Sequence, residues 1–227
     1  MKRYLFYLLF LLISPSFYAQ QPEKRPLWET ELAGGLNNYD AWEIEPSITF
    51  YPLHYTGITM GLLFTSPYHT NSPGGIAKDQ KLRWSCTNEN TTNHFFALRP
   101  ALKFNTPRLW IGEDKDYALY LSVSPGLTIP LPANQTFSID YFPNHEGVWT
   151  ALRREQVKNS GGKRLYFHLR TTASFEIDNS LILSVGYAIS DFDLYGGSRN
   201  ITVEGERLDL PHHRLMHTAF VSIGYRF

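Results

Sequence analysis

The last nine residues of the chain, AFVSIGYRF, alternate in character. Ala219, Val221, Ile223, Tyr225 and Phe227 fall on one side; Ser222, Gly224 and Arg226 fall on the other, with Phe220 as the exception. Period two marks a strand with two unlike faces. Chain ends are ordinarily frayed and polar, so an apolar row carried up to a terminal aromatic raises the question of what that row touches. Parity allows two answers. The apolar row lines the interior of a soluble ligand-binding barrel, or it faces lipid.

The other end of the chain favours lipid. Lys2 and Arg3 precede the apolar run YLFYLLFLLI, Tyr4 to Ile13, which leads into SPSFYAQ. A basic head, an apolar run of about ten residues and a small-residue exit have the form of a secretory signal. The run is shorter than the roughly 20 residues a helical span requires. Residues 1–19 are expected to be a signal peptide cut after Ala19, and residues 20–227 a single outer-membrane β-barrel domain. No Cys lies near the cut, so no lipid anchor is expected there.

Composition is consistent with this. Aromatic residues make up 15% of the chain, a share that suits strands and membrane interfaces. Beyond the signal there is no apolar run long enough for a transmembrane helix. Lysine plus arginine equals aspartate plus glutamate at 21 each, so nothing points to nucleic acid. The single Cys86 has no internal disulfide partner.

Eight stretches alternate over the 9–11 residues that a lipid-facing strand needs. They are Leu27–Gly35, Glu43–Leu53, Gly57–Thr65, Phe95–Asn105, Tyr117–Leu131, Arg164–Ile177, Ser180–Ser190 and His213–Phe227. The connections alternate as well. His54–Gly57 and Asp178–Ser180 are tight turns, whereas Ser66–His94, Pro132–Lys163 and Asp191–His212 are long and polar. Leu36–Trp42 is short for an outer loop, and Thr106–Asp116 is long for a turn, so strands are expected to extend into the latter. Pro46, Pro100, Pro125 and Pro130 each remove a ladder donor and are expected at bulges or strand ends. The fold expected is all-β, an antiparallel up-and-down transmembrane barrel of about eight strands.

The terminal row Ala219, Val221, Ile223, Tyr225, Phe227 resembles the C-terminal signal of outer-membrane β-barrels, and EPSITFYPLHYTGITMGLLF is similar to strand–turn stretches of the outer membrane protein β-barrel domain family. The resemblance implies a small eight-stranded monomer in the cell outer membrane. Its implied partners are the lipid bilayer and the barrel-assembly machinery, which would read that terminal row. Trp28, Tyr225 and Phe227 are expected in an aromatic belt at the periplasmic boundary.

The polar faces suggest what fills such a barrel, since eight strands leave only room for side chains. Glu29, Glu31, Glu43, Glu45 and Glu176 share the inward parity with Arg99, Lys103, His168, Arg170, Arg214 and Arg226. They are expected to form a lumen charge network, because buried charges must be paired. The function this implies is structural or one of surface interaction through the outer loops, with no cofactor and no metal. The alternative is an enzyme that acylates or deacylates lipid A in the outer leaflet, built on His212, His213 and His217 with Ser190 and Asp191; no motif of either enzyme type matches residue by residue. A basic stretch, Arg153, Arg154, Lys158, Lys163 and Arg164, is a solvated face or a contact for lipopolysaccharide phosphates.

Overall fold

The computed structural model describes residues 27–69, 73–86, 95–112, 116–145, 147–148 and 150–227. The expected signal peptide lies outside them. All regular structure among the described residues is strand: β1 (Trp28–Asn37), β2 (Ala41–Phe50), β3 (Thr56–Pro67), β4 (Gly74–Ile76), β5 (Leu82–Cys86), β6 (Phe95–Asn105), β7 (Leu109–Ile111), β8 (Tyr117–Leu131), β9 (Thr136–Pro143), β10 (Arg153–Lys158), β11 (Tyr166–Ile177), β12 (Leu181–Ser190), β13 (Thr202–Val203), β14 (Glu206–Arg207) and β15 (Met216–Arg226).

Eight of these close on themselves. β1, β2, β3, β6, β8, β11, β12 and β15 pair antiparallel with their neighbours in chain order, and β15 returns to β1. The seam is nine residues deep, from Glu29 opposite Arg226 to Asn37 opposite Thr218. The result is an up-and-down barrel with no free edge in its wall. At one end are the turns 51–55 and 178–180 and the segment 106–116; at the other, strands join through 38–40 and three long loops.

Parity resolves the two readings of the apolar rows. Leu32, Ile48, Met60, Leu102, Leu121, Val185, Val221 and Ile223 are all exposed on the outside of the barrel. Ser47, Thr49, Ser122, Ser174, Ser184 and Ser222 are buried inside. The soluble barrel with an apolar interior is therefore excluded, and the wall is that of a transmembrane barrel. Exposed or half-exposed aromatics form a ring near each end. Trp28 packs on Phe50 at 4.8 Å and Tyr225 on Phe227 at 6.4 Å on the turn side, while Phe64 lies 5.0 Å from both Trp42 and Phe96 on the loop side.

The prolines differ from expectation. Pro46, Pro100 and Pro125 sit within β2, β6 and β8, and the register on either side of each is unchanged. The ladder skips a bridge instead of bulging: between β2 and β3, pairing runs from Ile44–Phe64 to Ser47–Gly61 with no shift. A missing donor costs one bond, whereas a bulge would turn the lipid row inward. Pro130 does lie at a strand end. In segment 106–116, β7 pairs with the start of β8 one residue out of step with β6, so the wall continues into that turn.

Phe220, the odd residue of the terminal alternation, points into the lumen and is 8% exposed. Its room comes from glycines. A Cβ on Gly186 would lie 2.2 Å from Phe220 Cζ, and one on Gly35 2.8 Å from Phe220 Cβ. Replacing Gly186 by alanine is expected to destabilise the refolded barrel by about 1–3 kcal/mol through overpacking. That penalty should shrink when Phe220 is shortened to leucine in the same chain. Urea titration of tryptophan fluorescence in detergent reads both effects, and strictly additive costs would show that ring and glycine do not share the space.

Candidate functional site

Two regions carry the polar chemistry: the lumen and the cap above it. In the lumen, Glu29 enters from β1 beside the seam. Arg226 Nη2 reaches it at 2.6 Å, Lys103 Nζ at 2.5 Å, and the Tyr51 hydroxyl donates to it at 2.9 Å. Arg226 also binds Glu176 at 2.7 Å, and Arg108 binds Glu176 at 3.0 Å. Glu31 accepts from Arg170 at 2.5 Å and lies 3.6 Å from Lys103, which links this layer to the next. There Arg99 binds Glu45 at 2.8 Å, with Arg170 3.7 Å from the same carboxylate. Glu43 accepts from Asn37 at 2.8 Å and from Thr218 at 3.3 Å. His168 faces Thr128 at 3.2 Å. The guanidinium of Arg170 lies 4.0 Å from the Phe220 ring centroid.

Ten of the eleven residues expected in the lumen network are thus brought together. Arg214 is not. It has the inward parity, but β15 begins at Met216, and Arg214 is exposed beyond the strand, where parity no longer points a side chain into the barrel. Arg108 takes a place that sequence reasoning missed, because it lies in a segment read as a turn. Tyr51 and Tyr120, inward by parity but uncharged, join the network through their hydroxyls; the Tyr120 hydroxyl accepts from Arg226 at 3.3 Å. Two small cavities, about 10 and 20 Å³, share Glu45, Arg99 and Arg170 in their linings, and each is the size of about one water molecule.

The long polar connections expected as loops are folded into a cap. β10, β9, β5 and β4 form a second sheet, and β13 and β14 a hairpin. They pack on a core that includes Trp84, Phe137, Ile139, Tyr141, Tyr195, Ile201 and Leu208 and continues into the mouth of the barrel through Leu63, Phe95, Tyr166 and Met216. The loops also bond across to one another: Gln135 N donates to Gly197 O at 2.8 Å, Asn144 N to Lys81 O at 2.8 Å, and Asn200 N to Asn159 Oδ1 at 3.0 Å. Arg199 grips Asp193 through two nitrogens at 2.5 and 2.7 Å and also donates to the carbonyls of Leu210 and Pro211. Burial pushes the Tyr39 hydroxyl, bonded to Asp193, up to about 12, and the Cys86 thiol up to about 11. A thiol so raised is a poor nucleophile, and Cys86 is a packing residue of the cap core.

The residues considered for lipid A chemistry do not converge. Ser190 faces inward and is 3% exposed; its hydroxyl donates to Phe167 O at 2.8 Å and accepts from Phe192 N at 3.0 Å. His217 lies on the opposite face of the sheet, where Nδ1 meets the Tyr187 hydroxyl at 2.9 Å. His213 stacks edge-on against Tyr39 at 4.7 Å, and His212 lies 3.7 Å from Asp193. Asp191 binds Lys163 at 2.5 Å. Of the basic stretch, Arg153 and Arg154 are tied to Glu155 and Asp140.

No protein-family model matches the chain, and no curated protein matches it. Among solved structures it is similar to the N-terminal β-barrel domain of Pseudomonas aeruginosa OprF, with 11% identity over 89% of this chain and 98% of that one and a TM-score of 0.40. It is similar to Neisserial surface protein A, with 7% identity over 88% and 96% and a TM-score of 0.42. The outer membrane enzyme PagL is similar at 8% identity over 86% and 97%, with a TM-score of 0.38. At such values the likeness adds nothing to the architecture already read from the strand register.

The terminal row Ala219, Val221, Ile223, Tyr225 and Phe227 lies on the outer face of β15 and the residue after it, and Trp28 is 41% exposed beside Phe227. Replacing Arg226 by methionine removes one cation from both Glu29 and Glu176 while keeping side-chain volume. The expected cost is about 3–5 kcal/mol, as for other broken buried pairs. Arg154→Ala, which breaks the half-exposed pair with Asp140, should cost less than about 1 kcal/mol. Detergent-refolded protein titrated with urea compares the two, and similar costs would mean that the lumen network is not a structural plug.

Proposed function

We propose that this chain is an integral outer-membrane barrel with a lumen closed to solutes, and that its working surface is the folded cap on the loop side. The observation that carries the reading is the inversion of the wall. Apolar residues face out on all eight strands, and five carboxylates and five basic groups are paired within. Only a closed sheet satisfies its backbone in hydrocarbon without a free edge. The individual strands, from 10 to 15 residues, are long enough to cross.

The closed lumen is supported by the two charge layers and by cavities no larger than a water molecule. A structural or surface-interaction role, without catalysis, is supported by the separation of Ser190 and His217 onto opposite faces of the sheet. A cap packed on a core continuous with the barrel mouth presents a fixed surface, which suits recognition of a partner outside the cell better than a set of mobile loops does.

Reconstitution tests this. The refolded protein should float with lipid vesicles, resist carbonate extraction and keep its strand circular dichroism. In planar bilayers it should give no stepwise conductance. Protein recovered from the aqueous fraction would overturn the membrane assignment, and steady porin-like conductance would overturn the closed lumen.

A further inference from the structure

We propose that the free edge of β10 binds an extended acidic segment of another protein, which adds to the four-stranded cap sheet as a fifth strand. This rests on the reading of the cap as the working surface and gives that surface a partner of defined chemistry.

Closure leaves the barrel wall no edge, but the cap sheet is open. Its order is β10, β9, β5, β4, so β10 and β4 are its outer strands. β4 has three residues, whereas β10 has six. Among the described residues β10 pairs only with β9, and no backbone hydrogen bond reaches it from the other side. The register shows which groups are left over. Just past the strand, Asn159 N donates at 2.9 Å to the carbonyl of Gln135, the residue directly across from it. Hydrogen-bonded positions of an antiparallel pair recur at every second residue. Val157, Glu155 and Arg153 therefore turn their backbone groups toward β9, and Arg154, Gln156 and Lys158 turn theirs away. The latter three are all exposed.

The side chains select the partner. Arg154, Gln156 and Lys158 share the outward face of the sheet, opposite Asp140, Ser138 and Thr136 of β9. Arg154 binds Asp140 at 2.7 and 3.0 Å yet stays 54% exposed, and Lys158 has no ion-pair partner among the described residues. An added strand would set two residues, four apart, opposite these cations, and carboxylates suit both places. On the other face Val157 packs against the cap core, so an apolar residue belongs opposite it. A second copy of β10 is a poor occupant. Antiparallel pairing about Gln156 would set Arg154 of one chain against Lys158 of the other, and like charges directly opposite destabilise a ladder. The cations that guard this edge against self-association thus leave it open to an acidic strand. Two simpler accounts forecast otherwise. A merely solvated edge binds nothing, and plain charge attraction is indifferent to the peptide backbone.

The full-length protein in neutral detergent micelles, titrated against fluorescein-labelled peptides and read by anisotropy, tests the edge. The probe carries Glu-Val-Thr-Thr-Glu between threonines, an order that runs antiparallel from Lys158 to Arg154. One control has lysine for both glutamates. Another keeps the sequence but is N-methylated at the two glutamates and the middle threonine, whose N–H groups would face β10. The glutamate peptide should bind about tenfold or more tighter than either control. Gln156→Pro removes an outward donor without touching the ladder to β9, and it should weaken binding about fivefold. Lys158→Glu should weaken it by about as much, and Arg207→Glu on the β13–β14 hairpin should leave it unchanged. Equal binding of the two charge types, undiminished binding of the N-methylated peptide, or no binding at all would overturn the proposal. These three comparisons use the unaltered protein, so the test does not hang on any variant folding. Vesicle flotation reads the membrane assignment separately. A protein left in the aqueous fraction would overturn that assignment, whereas an inserted protein that ignores the peptides would overturn only this site.

Discussion

Trp28 and Phe227 exchange backbone hydrogen bonds of 3.0 and 2.9 Å, and just inside them Arg226 holds Glu29 at 2.6 Å. This seam between the first and last strands converts a sheet into a barrel. An open sheet of the same strands would present two rows of unpaired backbone groups, each costly in an apolar medium. The ion pair does more than close the ring, because Arg226 also reaches Glu176 and Tyr120 across the lumen. One side chain thus ties β15 to β1, β11 and β8.

The lumen mixes two kinds of filling. Glu29, Glu31, Glu43, Glu45, Arg99 and Lys103 come from β1, β2 and β6, Arg170 and Glu176 from β11 and Arg226 from β15, whereas β8, β11 and β12 contribute many of the hydroxyls. Ser122 bonds to Thr172, and Ser174 to Ser184 at 2.8 Å. Long charged side chains lie against short polar ones, which lets an eight-stranded barrel fill its lumen largely with polar groups. Phe220 is the apolar piece of this filling, stacked under Arg170 and seated over glycines.

Much of the barrel could be read from the sequence because period-two alternation is a local property that closure does not alter. Ten of the eleven inward charges follow from parity and a hydrophobic wall alone. Parity fails where strands end or kink, and there the reading failed too: Arg214 lies beyond the start of β15, and Arg108 enters the lumen from a distorted turn. The prolines misled for a related reason. A lost donor is visible in the sequence, but the neighbouring bridges that keep the register are not. The cap was missed altogether, since Trp84, Phe137, Tyr195 and Ile201 are scattered through polar loops with no repeat, and only their meeting in space makes them a core.

That shared core joins segments far apart along the chain. Loops on a barrel rim are commonly thought of as independent cassettes, free to lengthen or be exchanged one at a time. Here a substituted loop would bring no partner for the rings and aliphatic groups left by the others, and would expose them to water. Sequence change at this surface is therefore confined to outward side chains such as Lys158 and Arg207, and larger remodelling requires several loops to change in concert. What this end of the barrel presents is a composite shape assembled from distant segments, not a series of peptides.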